Sequence, residues 1–158
     1  MRIGVVSDTH GDIVMLKKVI AAAGPVDQWL HAGDYYQDGL RLTELTSLPV
    51  TIVAGNCDRT NAALADEYVE VAGKTIWITH GHRYDVKHGM AQLVFWGKEY
   101  AASVVVFGHT HIPYNKWHEG ILLLNPGSPR LPRGGSDPSF AILEIKENAA
   151  IEGTIIKL

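Results

Sequence analysis

Seven side chains in this chain carry the oxygen and imidazole groups that bind divalent metals: Asp8, His10, Asp34, Asn56, His80, His109 and His111. Apart from His80 they come in four short segments, Asp8-Thr9-His10, Gly33-Asp34, Gly55-Asn56-Cys57-Asp58 and Gly108-His109-Thr110-His111. Carboxylates, an amide and imidazoles, with no thiolate among them, make up the ligand inventory of a two-metal site. An Asp and a His one residue apart can turn toward one point once the chain leaves extended geometry. Alone, Asp-x-His is a weak signal, because it also occurs by chance in solvated turns. Two imidazoles at spacing two can reach adjacent metals, which makes His109 and His111 a stronger pair. The whole set carries the inference.

Each ligand segment follows an apolar run rich in β-branched residues, at 3–6, 29–30, 50–53, 75–78 and 104–107. Such runs predict buried strands, so the ligands fall where strands end, the edge at which α/β proteins build sites. The first third predicts βαβαβ, with strands over 2–7, 28–32 and 50–54 and helices over 12–23 and 38–45. In the first helix Ile13, Leu16, Ile20 and Ala23 share a face, Asp12 is the expected N-cap, and Gly24-Pro25 ends it. This alternation predicts parallel strands covered by helices.

Antiparallel pairing then enters. Strands over 68–72 and 75–79 flank a Gly73-Lys74 turn, and strands over 114–118 and 121–125 flank Glu119-Gly120. Strands over 140–145 and 151–158 bracket a connection at 146–150. A helix over 86–101 places Met90, Leu93, Val94 and Ala101 on one side, a buried strand follows over 103–107, and 130–138 is a Pro- and Gly-rich loop. The expected fold is therefore α/β, with two packed mixed β-sheets flanked by helices.

Composition narrows the function. The 158 residues suit a single domain, 1–158, with enough core to stand without disulfides. The formal charge is −3 and the pI is near 6.2, with scattered Lys and Arg, so no dedicated nucleic-acid binding is expected. A small anionic substrate is still compatible, because bound metal supplies local positive charge. The single cysteine, Cys57, cannot form an internal disulfide, and the first residues lead into a strand without a signal pattern. A cytoplasmic location is expected. No run approaches the roughly 18 apolar residues of a membrane span.

In order along the chain, Asp8-Thr9-His10, Gly33-Asp34, Gly55-Asn56-Cys57-Asp58, His80 and Gly108-His109-Thr110-His111 resemble the motifs of the calcineurin-like metallophosphoesterases. The short single-domain bacterial and archaeal phosphodiesterases are the nearest likeness, through Gly55-Asn56-Cys57-Asp58, Thr79-His80-Gly81-His82 and Asn125-Pro126-Gly127-Ser128. The likeness runs from residue 3 to about 128. It implies a four-layer αββα sandwich with two divalent ions, manganese first among manganese, iron, cobalt, nickel and zinc. It further implies that Asp8, His10 and His111 hold one ion, that Asn56, His80 and His109 hold the other, and that Asp34 bridges them. Two such ions can lower the pKa of a bridging water from 15.7 to about 7, so that hydroxide attacks phosphorus in line with the leaving alkoxide. Gly-x-Ser-x-Gly, a phosphate-binding Gly-rich loop and a Cys pair, the marks of other chemistries, are not found in the sequence.

The catalytic set expected on this basis is Asp34, Asn56, Cys57 and His82. Cys57 stands where many members of the superfamily carry a histidine thought to protonate the leaving group. A thiol is the weaker donor, which biases hydrolysis toward activated esters or passes the role to His82; packing as a small apolar residue is the alternative. His31 is expected to be a hydrogen-bonded core histidine, and His88 and His118 surface residues. Asp58 either orients a ligand or stabilises a turn, and Asp38 caps a helix. Residues 125–128 either offer backbone N–H groups to substrate or form an ordinary turn, and Arg130 and Arg133 either steer phosphate or are solvated. Trp29, Trp77, Trp96 and Trp117 belong to the core or to an interface rather than to a base-stacking platform.

The leading expectation is a metal-dependent phosphodiesterase of small organic phosphates. Two rivals stand beside it. One is a non-catalytic scaffold like the retromer subunit that resembles this family, and the other is a phosphomonoesterase or nuclease with the same site. A homo-oligomer is compatible with the sequence.

Overall fold

The computed structural model describes residues 1–59, 62–146 and 150–158. The chain opens with β1 (Arg2–Val6), α1 (Ile13–Ala23), β2 (Gln28–His31), α2 (Tyr36–Thr46) and β3 (Val50–Ile52). β1, β2 and β3 pair in parallel, with Val5 opposite Leu30 and Leu30 opposite Thr51. β9 (Ser139–Ile145) adds antiparallel to β1 and β10 (Ile151–Lys157) antiparallel to β9, giving the sheet order β10-β9-β1-β2-β3.

The second sheet holds β4 (Asp66–Val71), β5 (Lys74–Thr79), β6 (Val104–Val106), β7 (Tyr114–His118) and β8 (Ile121–Asn125) in the order β4-β5-β6-β8-β7. Its two hairpins flank a parallel centre in which Ile78 faces Val106 and Val106 faces Leu124. Strand alternation then separates the faces. Ile3, Val5, Leu30, Ile76, Ile78, Val104 and Leu122 meet between the sheets. Val6, Trp29 and Phe140 turn outward to Leu16 and Val19 of α1 and Leu42 of α2. On the far side Trp77, Val105 and Leu123 pack on Leu93 and Val94 of α3 (Ala91–Glu99). Three apolar seams between four layers make the expected αββα sandwich.

Asp12 caps α1 as expected, its Oδ1 accepting from Val14 N and Met15 N at 3.1 and 3.0 Å. Other expectations need correction. The helix expected over 86–101 is only α3, because Asp85 (φ 53°) and Gly89 (φ 148°) leave helical geometry before it. His82–Tyr84 forms a single 3-10 turn instead. Ala101 adopts φ 51° just past the helix and is exposed, so it does not join the buried face of Leu93 and Val94. The β4–β5 turn is centred on Ala72-Gly73 (φ 49° and 72°), one residue before Gly73-Lys74, because a two-residue turn of this hand needs both centres at positive φ. The connection expected at 146–150 has its centre, residues 147–149, outside the described residues. Among the described residues no helix is long and apolar enough to cross a membrane.

Candidate metal centre

All the ligand segments follow parallel strands and meet at one edge of the sandwich. Asp8 and His10 follow β1, Asp34 follows β2, Asn56 follows β3, His80 follows β5, and His109 and His111 follow β6. Five of these seven residues sit in the left-handed region: Asp8 (φ 55°), His10 (47°), Asp34 (55°), His109 (68°) and His111 (60°). Such conformations cost about 1–3 kcal/mol each in a non-glycine residue and cluster where a site demands them. Here they turn the chain out of strand alternation, which is how residues two apart come to face one point. Gly108 is needed for the same approach, since a Cβ there would collide with Ser7 Oγ and the Asp8 carboxylate.

Second-layer hydrogen bonds aim the imidazoles. His80 Nδ1 donates to Ala32 O and His111 Nδ1 to Leu131 O, both at 2.7 Å, which turns each Nε2 toward the cavity, where it can bind a cation in place of a proton. Asp8 Oδ2 accepts from Ser7 Oγ at 2.7 Å and from His109 N at 3.0 Å. Its other oxygen, Oδ1, is buried without a hydrogen-bond partner and lies 3.1 Å from His111 Nε2. A hydrogen bond between them would need a doubly protonated His111, because its Nδ1 proton is already given to Leu131. A cation between the two acceptors satisfies both.

The close approach of ligand atoms continues across Asp34. His10 Nε2 is 3.4 Å from His111 Nε2 and 3.9 Å from Asp34 Oδ2. On the other side, Asp34 Oδ1 is 3.4 Å from His80 Nε2, which is 3.2 Å from Asn56 Oδ1. Ligands about 2.0–2.2 Å from one ion stand roughly 3 Å apart in neighbouring positions, which is the spacing seen here. Single ligand atoms of Asp8, His10, Asp34 and His111 all lie within 4.8 Å of one another. His109 packs edge-on to His80 with ring centroids 5.2 Å apart, and it lines a cavity of about 90 Å³ with His10, Asp34, Asn56, Cys57 and His111. The donor set therefore fits divalent cations, and all seven expected ligands converge.

Charge follows from this geometry. Burial works against a charged His80, but the Asp34 and Asp8 carboxylates outweigh it and hold its pKa above the ordinary range. Burial likewise opposes ionised Asp34, yet His80 and the Cys57 N–H hold its carboxyl well below the usual range; Asp8 is lowered for the same kind of reason, with His111 and His80 as partners. Burial holds His10, His31 and His82 below their ordinary values and His109 at about 4.

In the metal-free protein these histidines pull in opposite directions. Between pH 4 and about 7 the unfolded chain binds more protons on these histidines than the native chain does, because four of them are depressed in the fold, so stability rises with pH; above about 7 the native state keeps a proton on His80 that the unfolded chain has lost, so stability falls as pH rises. The depressed Asp8 and Asp34 contribute throughout this window, and their share is lost only as pH falls below about 3.8. Thermal melts of chelated protein are expected to peak at about pH 7, where the five histidines of the unfolded chain together hold roughly the one proton that native His80 holds alone. A melting temperature that climbs steadily to pH 8 would contradict the arrangement.

Of the remaining candidates, Cys57 is exposed, its N–H donates to Asp34 Oδ1 at 2.9 Å, and burial with the nearby Asp34 pushes its thiol up to about 11. The thiol lines the ligand cavity rather than packing in the core. The His82 ring stands 5.4 Å from His80 and 6.1 Å from His109, beside the ligands, with Nδ1 buried and unpartnered. Asp58 fastens two ligand loops together, accepting from Gly55 N at 2.8 Å and Tyr36 N at 2.7 Å. His31 is a buried core residue, its Nε2 3.0 Å from Thr9 Oγ1. His88 is exposed beside Asp85, whereas His118 is half-buried and stacks on Tyr114.

One expectation changes, and two open ones gain detail. Asp38 lies inside the first turn of α2 and does not cap it; its buried carboxylate accepts from Gly11 N at 2.8 Å and so braces the loop after His10. In residues 125–128 the Gly127 N–H is spent on Asn125 Oδ1 at 2.9 Å, and the polar side chains turn inward. Asn125 Nδ2 donates to Gly108 O, and Ser128 Oγ donates to Asp8 O at 2.8 Å, so this turn buttresses the ligand loops. Arg130 is held by Asp12 at 3.2 Å, while Arg133 lines the cavity. Lys87 lines it too, although nothing in the sequence around it marks it; it is delivered by the turn before α3.

A four-layer sandwich with carboxylates and imidazoles converging at one strand edge defines the metallophosphoesterase class. The chain belongs to the calcineurin-like phosphoesterase superfamily, whose domain matches residues 1–148. It is 34% identical to a probable metallophosphoesterase, YsnB, of Bacillus subtilis, over 95% of this chain and 88% of the relative. It is 28% identical to the phosphodiesterase YfcE of Escherichia coli K12, over 91% and 88%. Among solved structures, a conserved Streptococcus pneumoniae TIGR4 protein described as a predicted phosphoesterase superposes with a TM-score of 0.85 at 30% identity, covering 99% of this chain and 88% of that one. Zinc-complexed Vps29 of Entamoeba histolytica superposes with a TM-score of 0.78 over 99% and 98%, but at 21% identity this is a likeness of fold.

Proposed function

We propose that the protein is a phosphodiesterase of small organic phosphate esters that works with two divalent ions, Asp34 lying between them. One observation carries the reading: Asp8 Oδ1, buried and unpartnered, faces His111 Nε2, while Asp34 presents its two oxygens to two separate groups of potential ligand atoms. Asp8, His10 and His111 would hold one ion and Asn56, His80 and His109 the other. Bound there, the ions supply Lewis-acid stabilisation of phosphoryl charge and make water more acidic.

The chain's own groups supply the rest. Ala32 O and Leu131 O keep His80 and His111 in the tautomer that presents Nε2 inward. Lys87 and Arg133 place positive charge at the cavity wall, where phosphate oxygens gather negative charge during in-line displacement. In the metal-free protein burial and the Asp34 carboxylate push the Cys57 thiol up to about 11, and a thiol is a weaker hydrogen-bond donor to a departing alkoxide than an imidazolium. Esters whose leaving groups need no proton are therefore favoured.

The test is hydrolysis of bis-p-nitrophenyl phosphate and mono-p-nitrophenyl phosphate by chelated protein reloaded with manganese, iron, cobalt, nickel or zinc. Faster turnover of the diester is expected, and activity that ignores the metal sinks the reading. The role of the thiol is tested separately. Cys57→His is expected to raise turnover of alkyl aryl diesters with poor leaving groups about 10-fold or more, within the 10²–10⁴ range of general-acid catalysis, while barely changing nitrophenyl esters. An equal change on both removes the donor argument.

A further inference from the structure

A second and larger cavity, of about 400 Å³, adjoins the first. Lys87 and Arg133 belong to both. Its other walls are apolar, built from Val86 at the buried end, Met90 before α3, Ile112 beyond His111, and the ring of Tyr114 on β7. The hydroxyl of Thr110, which also lines it, is already committed. It accepts from Asn125 Nδ2 at 3.0 Å and from Ile112 N at 3.2 Å, and it donates to Ile112 O at 3.3 Å. The phenolic oxygen of Tyr114 is likewise taken, 2.6 Å from His118 Nε2.

We propose that this pocket binds an aromatic arm of the phosphate ester, a specificity subsite that rests on the phosphoesterase reading above. A phosphoryl group beside the metal ligands would lie against Lys87 and Arg133, and the ester arm on that side enters the pocket. The cationic rim suits an anionic ester and not a neutral apolar molecule. An arm rich in hydroxyls or amides would lose its water and, past Lys87 and Arg133 at the rim, find no free partner on the apolar walls, a cost of about 1–3 kcal/mol per group in proteins. A flat ring loses little on entering, and it gains contact with the Met90 thioether and the Tyr114 face. The subsite therefore selects aryl esters over alkyl or sugar esters.

Phenylphosphonate and methylphosphonate, titrated into zinc-loaded protein, separate the arm from the phosphoryl group. Phenylphosphonate is expected to bind about tenfold tighter, and Ile112→Gln, at an exposed position, to cut that preference to about threefold or less, since ring burial is its source. Met90 supplies a second readout. With methionine methyls labelled, the Met90 signal shifts on adding phenylphosphonate and stays put with methylphosphonate, while the signals of Met1 and Met15 do not respond to either. Equal affinities, or an unmoved Met90 signal, overturn the subsite and leave zinc-dependent binding of both probes, and with it the phosphoesterase reading, intact. Binding of both probes that is indifferent to zinc overturns that reading and the subsite together.

Discussion

Asp34→Asn is expected to lower kcat/KM for bis-p-nitrophenyl phosphate about 10³-fold, the upper end of losses when a preorganised electrostatic group is removed. The substitution keeps the shape of the side chain. An amide oxygen still accepts from Cys57 N, so the loop after β3 stays in place, while the chelated variant loses the carboxylate that pairs with His80 and should melt below the parent. What disappears is the negative charge between His10 Nε2 on one side and His80 Nε2 on the other, 3.9 and 3.4 Å from its two oxygens. Each ion would lose a shared anionic ligand, so metal affinity falls together with turnover. Calorimetric titration with manganese, run alongside the assay, checks both. Retention of activity within about tenfold, the smallest loss usual even for outer-shell partners, would take Asp34 out of the position between two cations.

Chelation is expected to produce the largest change in stability. Metal that binds the native state alone stabilises it by about 4.1 kcal/mol when free metal stands at a thousand times Kd. For a domain of this size each kcal/mol moves the melting temperature by about 2–4 °C, so saturating metal should raise it by about 8–16 °C. The physical source is local. Without a cation, Asp8 Oδ1 stays buried and unpartnered, the Nε2 atoms of His111 and His10 stand 3.4 Å apart, and two carboxylates share the nearby charge of His80. A cation relieves all three. Differential scanning calorimetry of protein with and without manganese or zinc measures the shift, and Asp34→Asn should shrink it. An unchanged melting temperature at saturating metal would mean that these acceptors are satisfied in another way.

The two expectations that the sequence supported least well, Cys57 and His82, became sharper in three dimensions. From sequence, Cys57 could equally have been a small core residue; in the fold it is exposed, at the ligand cavity and against Asp34. His82 is only two residues from His80, yet the left-handed Gly81 (φ 92°) between them brings both rings to the same side, 5.4 Å apart. Asp38 shows the opposite case. Its position near a helix start is ordinary capping chemistry, and only the approach of Gly11 from the β1–α1 loop reveals a carboxylate that braces a ligand segment.

The candidate ligands, most of the strands that carry them and two mixed sheets flanked by helices were legible in the sequence, with the four-layer αββα order implied by the family resemblance. Apolar β-branched runs end in Asp, Asn or His, and a strand's end and a side chain's donor atoms depend on near neighbours alone. Tertiary structure decided the rest, because it depends on residues far apart in the chain. Ser128 reaches the Asp8 carbonyl across 120 positions, and Arg133 and Lys87 arrive at one cavity from separate loops. No local pattern encodes those meetings. They follow from two sheets packing face to face, which brings the ends of β1, β2, β3, β5 and β6 to one edge and turns scattered acceptors into a site.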